Sequence, residues 1–116
     1  MSEVTIYHNP RCSKSRTTLA LLEEHGIHPA VVQYLEAPLS AQQVGTLLDK
    51  LGMTAAQLVR RGEAAYKESG LSKDSSEEQI IAAMVKSPKL IERPIVVKGD
   101  RAVLGRPPEN VLGLIA

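Results

Sequence analysis

Phenylalanine and tryptophan are absent from this 116-residue chain, three tyrosines are its only aromatics, and cysteine occurs once, as Cys12. Without Phe or Trp, the core must be aliphatic, built from Leu, Ile, Val, Ala and Met. A platform of exposed aromatic rings for single-stranded nucleic acid is disfavoured for the same reason. One cysteine excludes an internal disulfide and a dithiol couple. His8, His25 and His28 are scattered and, with one Cys, give no metal-ligand spacing. The net charge of +1 carries no general signature of polyanion binding. The longest apolar run, Ile80 to Val85, is far short of a bilayer span, and the first thirty residues hold no unbroken signal-peptide core. The expectation is one cytoplasmic domain without nucleic-acid or membrane partners, with a monomer as the default.

Cys12 stands in His8-Asn9-Pro10-Arg11-Cys12-Ser13-Lys14-Ser15-Arg16. The β-branched run Val4–Tyr7 precedes this stretch, and a helix-like run follows it, predicted over Ser13–His25 with Gly26 as terminator. A sulfur at a strand-to-helix turn faces the unpaired N–H groups and positive dipole end of the helix. Both favour thiolate over thiol. His8, Arg11, Lys14 and Arg16 add positive charge nearby. A buried structural cysteine would have apolar neighbours, whereas these are polar or cationic, so Cys12 is the candidate nucleophile. Ser15, three residues on, occupies the place of the second sulfur of a Cys-x-x-Cys pair. It is suited to capping the helix or hydrogen-bonding the thiolate. His8 is suited to stabilise the thiolate as a cation or to take the thiol proton as a neutral base.

A second strand is predicted at Val31–Leu35, parallel to the first across the crossover helix. Three helix starts follow in the middle of the chain. Ser40-Ala41-Gln42-Gln43 opens a helix with Val44, Leu47, Leu48 and Leu51 on one face, ended by Gly52. Thr54-Ala55-Ala56-Gln57 opens a short one, and Ser75 or Ser76 caps a third that buries Ile80, Ile81, Met84 and Val85. Glu63 to Ser69 is expected to be helical as well. Ile95–Lys98, Gly99-Asp100 and Arg101–Leu104 read as an antiparallel hairpin with glycine first in its turn. Pro107-Pro108-Glu109 opens a last helix that offers Val111, Leu112 and Ile115 to the core. The pattern indicates a small three-layer α/β domain. Arg93 and Arg106 flank the hairpin, so its geometry brings them together. Two guanidinium groups converging near a thiolate at a helix N-terminus would make an oxyanion pocket.

In these residues the chain resembles the ArsC-type arsenate reductases of the glutaredoxin-like, thioredoxin-fold superfamily, in their short chromosomal branch. The resemblance rests on Thr5-Ile6-Tyr7-His8-Asn9-Pro10-x-Cys12-x-x-Ser15-Arg16, Tyr34-Leu35-Glu36, Leu58-Val59-Arg60, Leu90-Ile91-Glu92-Arg93-Pro94-Ile95-Val96-Val97 and Gly105-Arg106-Pro107. It implies a four-stranded mixed sheet of thioredoxin-like fold, with a helical insertion at about residues 39–88 between its β-α-β and β-β-α halves. It implies Cys12 as nucleophile, helped to ionise by His8, with Arg60, Arg93 and Arg106 holding the arsenic oxyanion and Pro94 as a cis-proline. It selects Arg60 over the adjacent Arg61. No bound cofactor is implied. Glutathione is the implied external reductant, and because the chain has no resolving thiol, a partner such as glutaredoxin must clear the mixed disulfide on Cys12. The alternatives are an Spx-like regulator, which would carry a Cys-x-x-Cys switch, and a monothiol glutaredoxin-like protein, which needs no arginine set.

Overall fold

The computed structural model describes residues 4–37 and 39–115, and these form two compact units, Met1–Ala37 with Arg93–Ala116, and Pro38–Glu92. The first unit is built on a sheet of β1 (Val4–Tyr7), β2 (Ala30–Val32), β3 (Ile95–Lys98) and β4 (Arg101–Leu104), in the order β2-β1-β3-β4. β1 pairs parallel with β2 and antiparallel with β3, and β3 pairs antiparallel with β4. The Gly99-Asp100 turn forms as expected, with φ of +61° at Gly99, a left-handed value that a side chain would strain.

Register fixes the core. Ile6 lies opposite Val96, and Val96 opposite Val103, so the three share one face of the sheet. Onto that face pack Leu22, from α1 (Ser13–Glu24), and Val111 and Leu114, from α6 (Asn110–Ile115). Both helices lie on the same face of the sheet. Three sequence expectations shift by a few residues. β2 ends at Val32, because Glu36 and Ala37 turn their N–H groups back onto the Gln33 carbonyl at 3.0 Å each. Tyr34 and Leu35 therefore belong to a turn. α6 starts at Asn110, since residues 107–109 form i→i+3 turns: Asn110 N–H bonds Pro107 O and Val111 N–H bonds Pro108 O. Helical phase from that start buries Leu114, leaving Leu112 half-exposed.

The second unit is helical. α2 (Ala41–Leu51), α3 (Ala55–Leu58) and α5 (Glu77–Lys86) each begin with a reciprocal cap: Ser40 with Gln43, Thr54 with Gln57, and Ser76 with Gln79. These expectations hold, with Ser76 rather than Ser75 as the third cap. α5 buries Ile80, Ala83 and Met84, and Ile81 and Val85 are only half-buried. α4 (Ala64–Glu68) lies between α3 and α5 in sequence, and a 3-10 turn, Pro88–Leu90, follows α5. Val59 and Ile91 form an antiparallel bridge, flanked by Arg60 N–H to Leu90 O at 2.7 Å and Glu92 N–H to Leu58 O at 3.2 Å. This bridge sets the backbone of Arg60. No helix among the described residues is long and apolar enough to cross a membrane.

Candidate active site

The site forms where β1 runs into α1. Asn9–Cys12 is a turn closed by Cys12 N–H to Asn9 O at 3.0 Å, with Pro10 in the position where its fixed φ suits such a turn. The Asn9 side chain accepts from Arg11 N–H at 3.0 Å, and Arg16 donates to Pro10 O at 3.0 Å. The loop is thus held from inside and from the first turn of the helix. Cys12 is the N-cap residue, with extended backbone (φ −94°, ψ 122°) and no side-chain capping bond. Its partly exposed sulfur stands at the positive end of a twelve-residue helix.

Ser15 neither caps the helix nor bonds the sulfur in this arrangement. It is fully buried, accepts from Asn9 N–H at 3.1 Å and lies 2.6 Å from His8 Nδ1. The reason is helical phase: the third residue of α1 points inward, beneath the loop. His8 continues β1 by one residue, with its N–H on Val32 O at 2.9 Å, and is itself buried. Burial first, and the Arg16 charge second, lower its pKa below the ordinary 6.5. Of the two states that the sequence allowed, the neutral imidazole is therefore the favoured one at neutral pH.

The ends of the hairpin meet through the Arg106 side chain and the Arg93 backbone. Arg106 Nε donates to the Arg93 carbonyl at 2.6 Å, and Arg106 Nη2 reaches Cys12 Sγ at 3.5 Å. The peptide bonds Arg93-Pro94 and Arg106-Pro107 are both cis, the first as expected and the second unforeseen. Arg60 lies in the helical unit, where its guanidinium meets Glu63 at 2.9 Å and Glu92 at 3.3 Å. Its charge is shared with two carboxylates that sequence reasoning did not assign to it. Arg61, by contrast, is exposed and donates to the Ala56 carbonyl at 3.4 Å.

Sequence reasoning missed the residues that set Arg106 in place. Gly105 N–H bonds Pro94 O at 2.9 Å, and Thr18 of α1 donates to Gly105 O at 3.3 Å. A Cβ on Gly105 would lie 2.5 Å from Thr18 Oγ1 and 2.8 Å from Pro94 Cγ, so only glycine fits between helix and proline. The Asn110 amide then donates to Leu104 O at 3.2 Å and Arg106 O at 3.0 Å, bridging the loop on both sides of Gly105. The available signal was a fully buried threonine-type position on the inner face of α1, together with a glycine between a strand and Arg-Pro.

A sheet of order β2-β1-β3-β4, with a half-exposed thiol at the helix that follows β1, defines a thiol protein of the thioredoxin-like class. The family model described as the ArsC family matches residues 7–114. Among curated proteins, the chain is 56% identical over 115 residues to the uncharacterized protein YfgD of Escherichia coli K12, covering 97% of each. It is 45% identical over 114 residues to a protein of Haemophilus influenzae named arsenate reductase, covering 97% of this chain and 98% of that one. A solved structure titled arsenate reductase from Vibrio cholerae superposes with a TM-score of 0.93 at 49% identity, covering 97% of each chain. The chain belongs to the ArsC family.

Proposed function

We propose that this protein is an arsenate reductase that uses glutathione as its external reductant and depends on glutaredoxin for recovery. The observation that carries the reading is Arg106 Nη2 at 3.5 Å from Cys12 Sγ, at the N-terminus of α1. One guanidinium beside a helix start favours both the thiolate and a tetrahedral anion delivered to it. The Cys12 thiolate attacks arsenic(V), hydroxide leaves, and a sulfur–arsenic bond forms. Arg106 and Arg93, with the first N–H groups of α1, oppose the negative charge of the adduct. The family resemblance assigns Arg60 to the oxyanion as well. His8, neutral at rest, takes up the thiol proton through solvent and as the imidazolium returns it to the departing oxygen, and Ser15 keeps the ring in place. A thiol then reduces the adduct, arsenite leaves, and the mixed disulfide on Cys12 passes to glutaredoxin, since the chain has no second cysteine. Such a cycle belongs in a reducing cytoplasm.

The test is arsenate-dependent NADPH oxidation with glutathione, glutaredoxin and glutathione reductase supplied. Turnover is expected for the native chain and none for Cys12→Ser, with unchanged circular dichroism. Equal rates for the two proteins, or oxidation independent of arsenate, would refute the assignment.

A further inference from the structure

β1 has a different neighbour on each side, and the two flanks of its C-terminal end differ in chemistry. On the β3 and β4 flank stand Arg93 and Arg106, the latter at Cys12 Sγ. On the β2 flank, the turn after Val32 folds against the nucleophile loop. His8 to Arg11, with Gln33, Leu35 and Glu36, line a cleft of about 230 Å³ between them. At ~30 Å³ per water molecule, this is room for about eight waters, the size of a small molecule rather than of a protein loop. Its rim has one cation, Arg11, and one anion, Glu36, and both are exposed. Leu35 lines the cleft too, 40% exposed. Among the described residues it is one of two large apolar side chains left outside, and the other, Val31, is on the same flank.

Displacement at sulfur is an in-line reaction: the entering sulfur and the leaving atom lie on opposite sides of the sulfur under attack. With arsenic held on the arginine flank, the reductant arrives from the other flank, where the cleft ends at Arg11, the residue before Cys12. We propose that this cleft seats the reducing co-substrate. That molecule is a low-molecular-weight thiol carrying both a carboxylate and an ammonium group, which Arg11 and Glu36 pair with respectively. The proposal rests on the reading of Cys12 as nucleophile and deepens it. In the step, the thiolate of the co-substrate attacks Sγ and a sulfur–sulfur bond forms. The sulfur–arsenic bond breaks with its electron pair going to arsenic, which falls from the pentavalent to the trivalent state. The two sulfurs supply the two electrons, and solvent protonates the departing arsenite.

The same mixed disulfide is reached without arsenic, when the Cys12 thiolate attacks a disulfide and one thiolate leaves. Rates of Cys12 modification by glutathione disulfide, which carries ammonium groups and an excess of carboxylates, and by bis(2-hydroxyethyl) disulfide, which is uncharged, can be compared by mass spectrometry. The native chain is expected to prefer glutathione disulfide. Glu36→Gln should cut that preference about threefold to fivefold, the scale of one exposed ion pair. Arg11→Gln should do the same and the double variant more, with the uncharged reagent reacting within about twofold of native in Glu36→Gln. Added salt should reduce the native preference. Arg101→Gln, a change to an exposed residue of β4, should leave it alone. An unaltered preference in the double variant, or none in the native chain, overturns the proposal and leaves the nucleophile standing. A Cys12 inert to both reagents overturns both. Normal selectivity without arsenate turnover would reject the arsenate reading but retain the cleft.

Discussion

Gly105→Ala tests the seat of the arginine loop. The added Cβ would meet Thr18 Oγ1 at 2.5 Å, Pro94 Cγ at 2.8 Å and Thr18 Cγ2 at 2.9 Å, distances that real carbon contacts do not reach. Neither neighbour yields easily. Thr18 is β-branched on a helix and bonds Lys14 O at 2.8 Å, and the Pro94 ring is closed on the backbone. Overpacking of this kind costs about 1–3 kcal/mol, and with three contacts at rigid groups we expect the upper end. Unfolding entropy near 2.1 cal/mol/K per residue gives about 0.24 kcal/mol/K at this length, so ~3 kcal/mol corresponds to ~12 °C in Tm. Thr18→Ala removes two of the three clashes. In that background Gly105→Ala should cost only ~1 kcal/mol, a coupling of about 2 kcal/mol. Thermal and urea unfolding of the four proteins measure the cycle. Additivity within ~0.5 kcal/mol would show that Thr18 does not wall this position, and the steric account would fail.

Arg106→Lys keeps the charge but loses the fork that spans the Arg93 carbonyl and the sulfur. Alkylation of Cys12 by iodoacetamide at pH 7 should slow about tenfold with little change in Tm, and an unchanged rate would deny the contact importance. Ser15→Ala leaves His8 Nδ1 and Asn9 N–H buried without their shared partner. We expect a loss of about 2–3 kcal/mol in urea unfolding, and a loss below ~0.5 would contradict the geometry. The lowered pKa of His8 means that the unfolded chain takes up a proton near pH 6.5, where the folded chain still resists it. Stability from this residue is therefore complete above that pH and declines as pH falls toward the lowered value. Between pH 7.5 and 5.5 the native Tm should drop more than that of His8→Asn, and parallel curves would exclude the effect.

Much of this was legible because local chemistry and tertiary demand agree. The caps at Ser40, Thr54 and Ser76, the Gly99-Asp100 turn and the β-branched strands specify their elements within a few residues, whatever packs on them. Cys12 was legible for a similar reason, since a lone thiol among cations before a helix has few other uses. The meeting of Arg106 with the Arg93 backbone followed from hairpin geometry alone. What stayed hidden depends on contacts between distant segments. The His8–Ser15 bond needs the strand end to lie over the first helical turn, and the inward phase of Ser15 is decided by where α1 begins. The pairing of Arg60 with Glu92 depends on the Val59–Ile91 bridge, which joins segments more than thirty residues apart. Gly105 was visible as part of Gly105-Arg106-Pro107, but the reason for glycine there, Thr18 and Pro94 on either side, came only with the fold.

Each of the three reciprocal caps in the helical unit uses a glutamine where a glutamate would serve equally well at neutral pH. An amide has no proton to gain, so the starts of α2, α3 and α5 hold the same bonds in acid as at neutrality. The link between these helices is of another kind: the Glu77 carboxylate receives Ala55 N–H at 3.0 and 3.1 Å and ties α5 to the first residue of α3. The beginning of each helix thus rests on an amide, and the tie between α3 and α5 on a carboxylate.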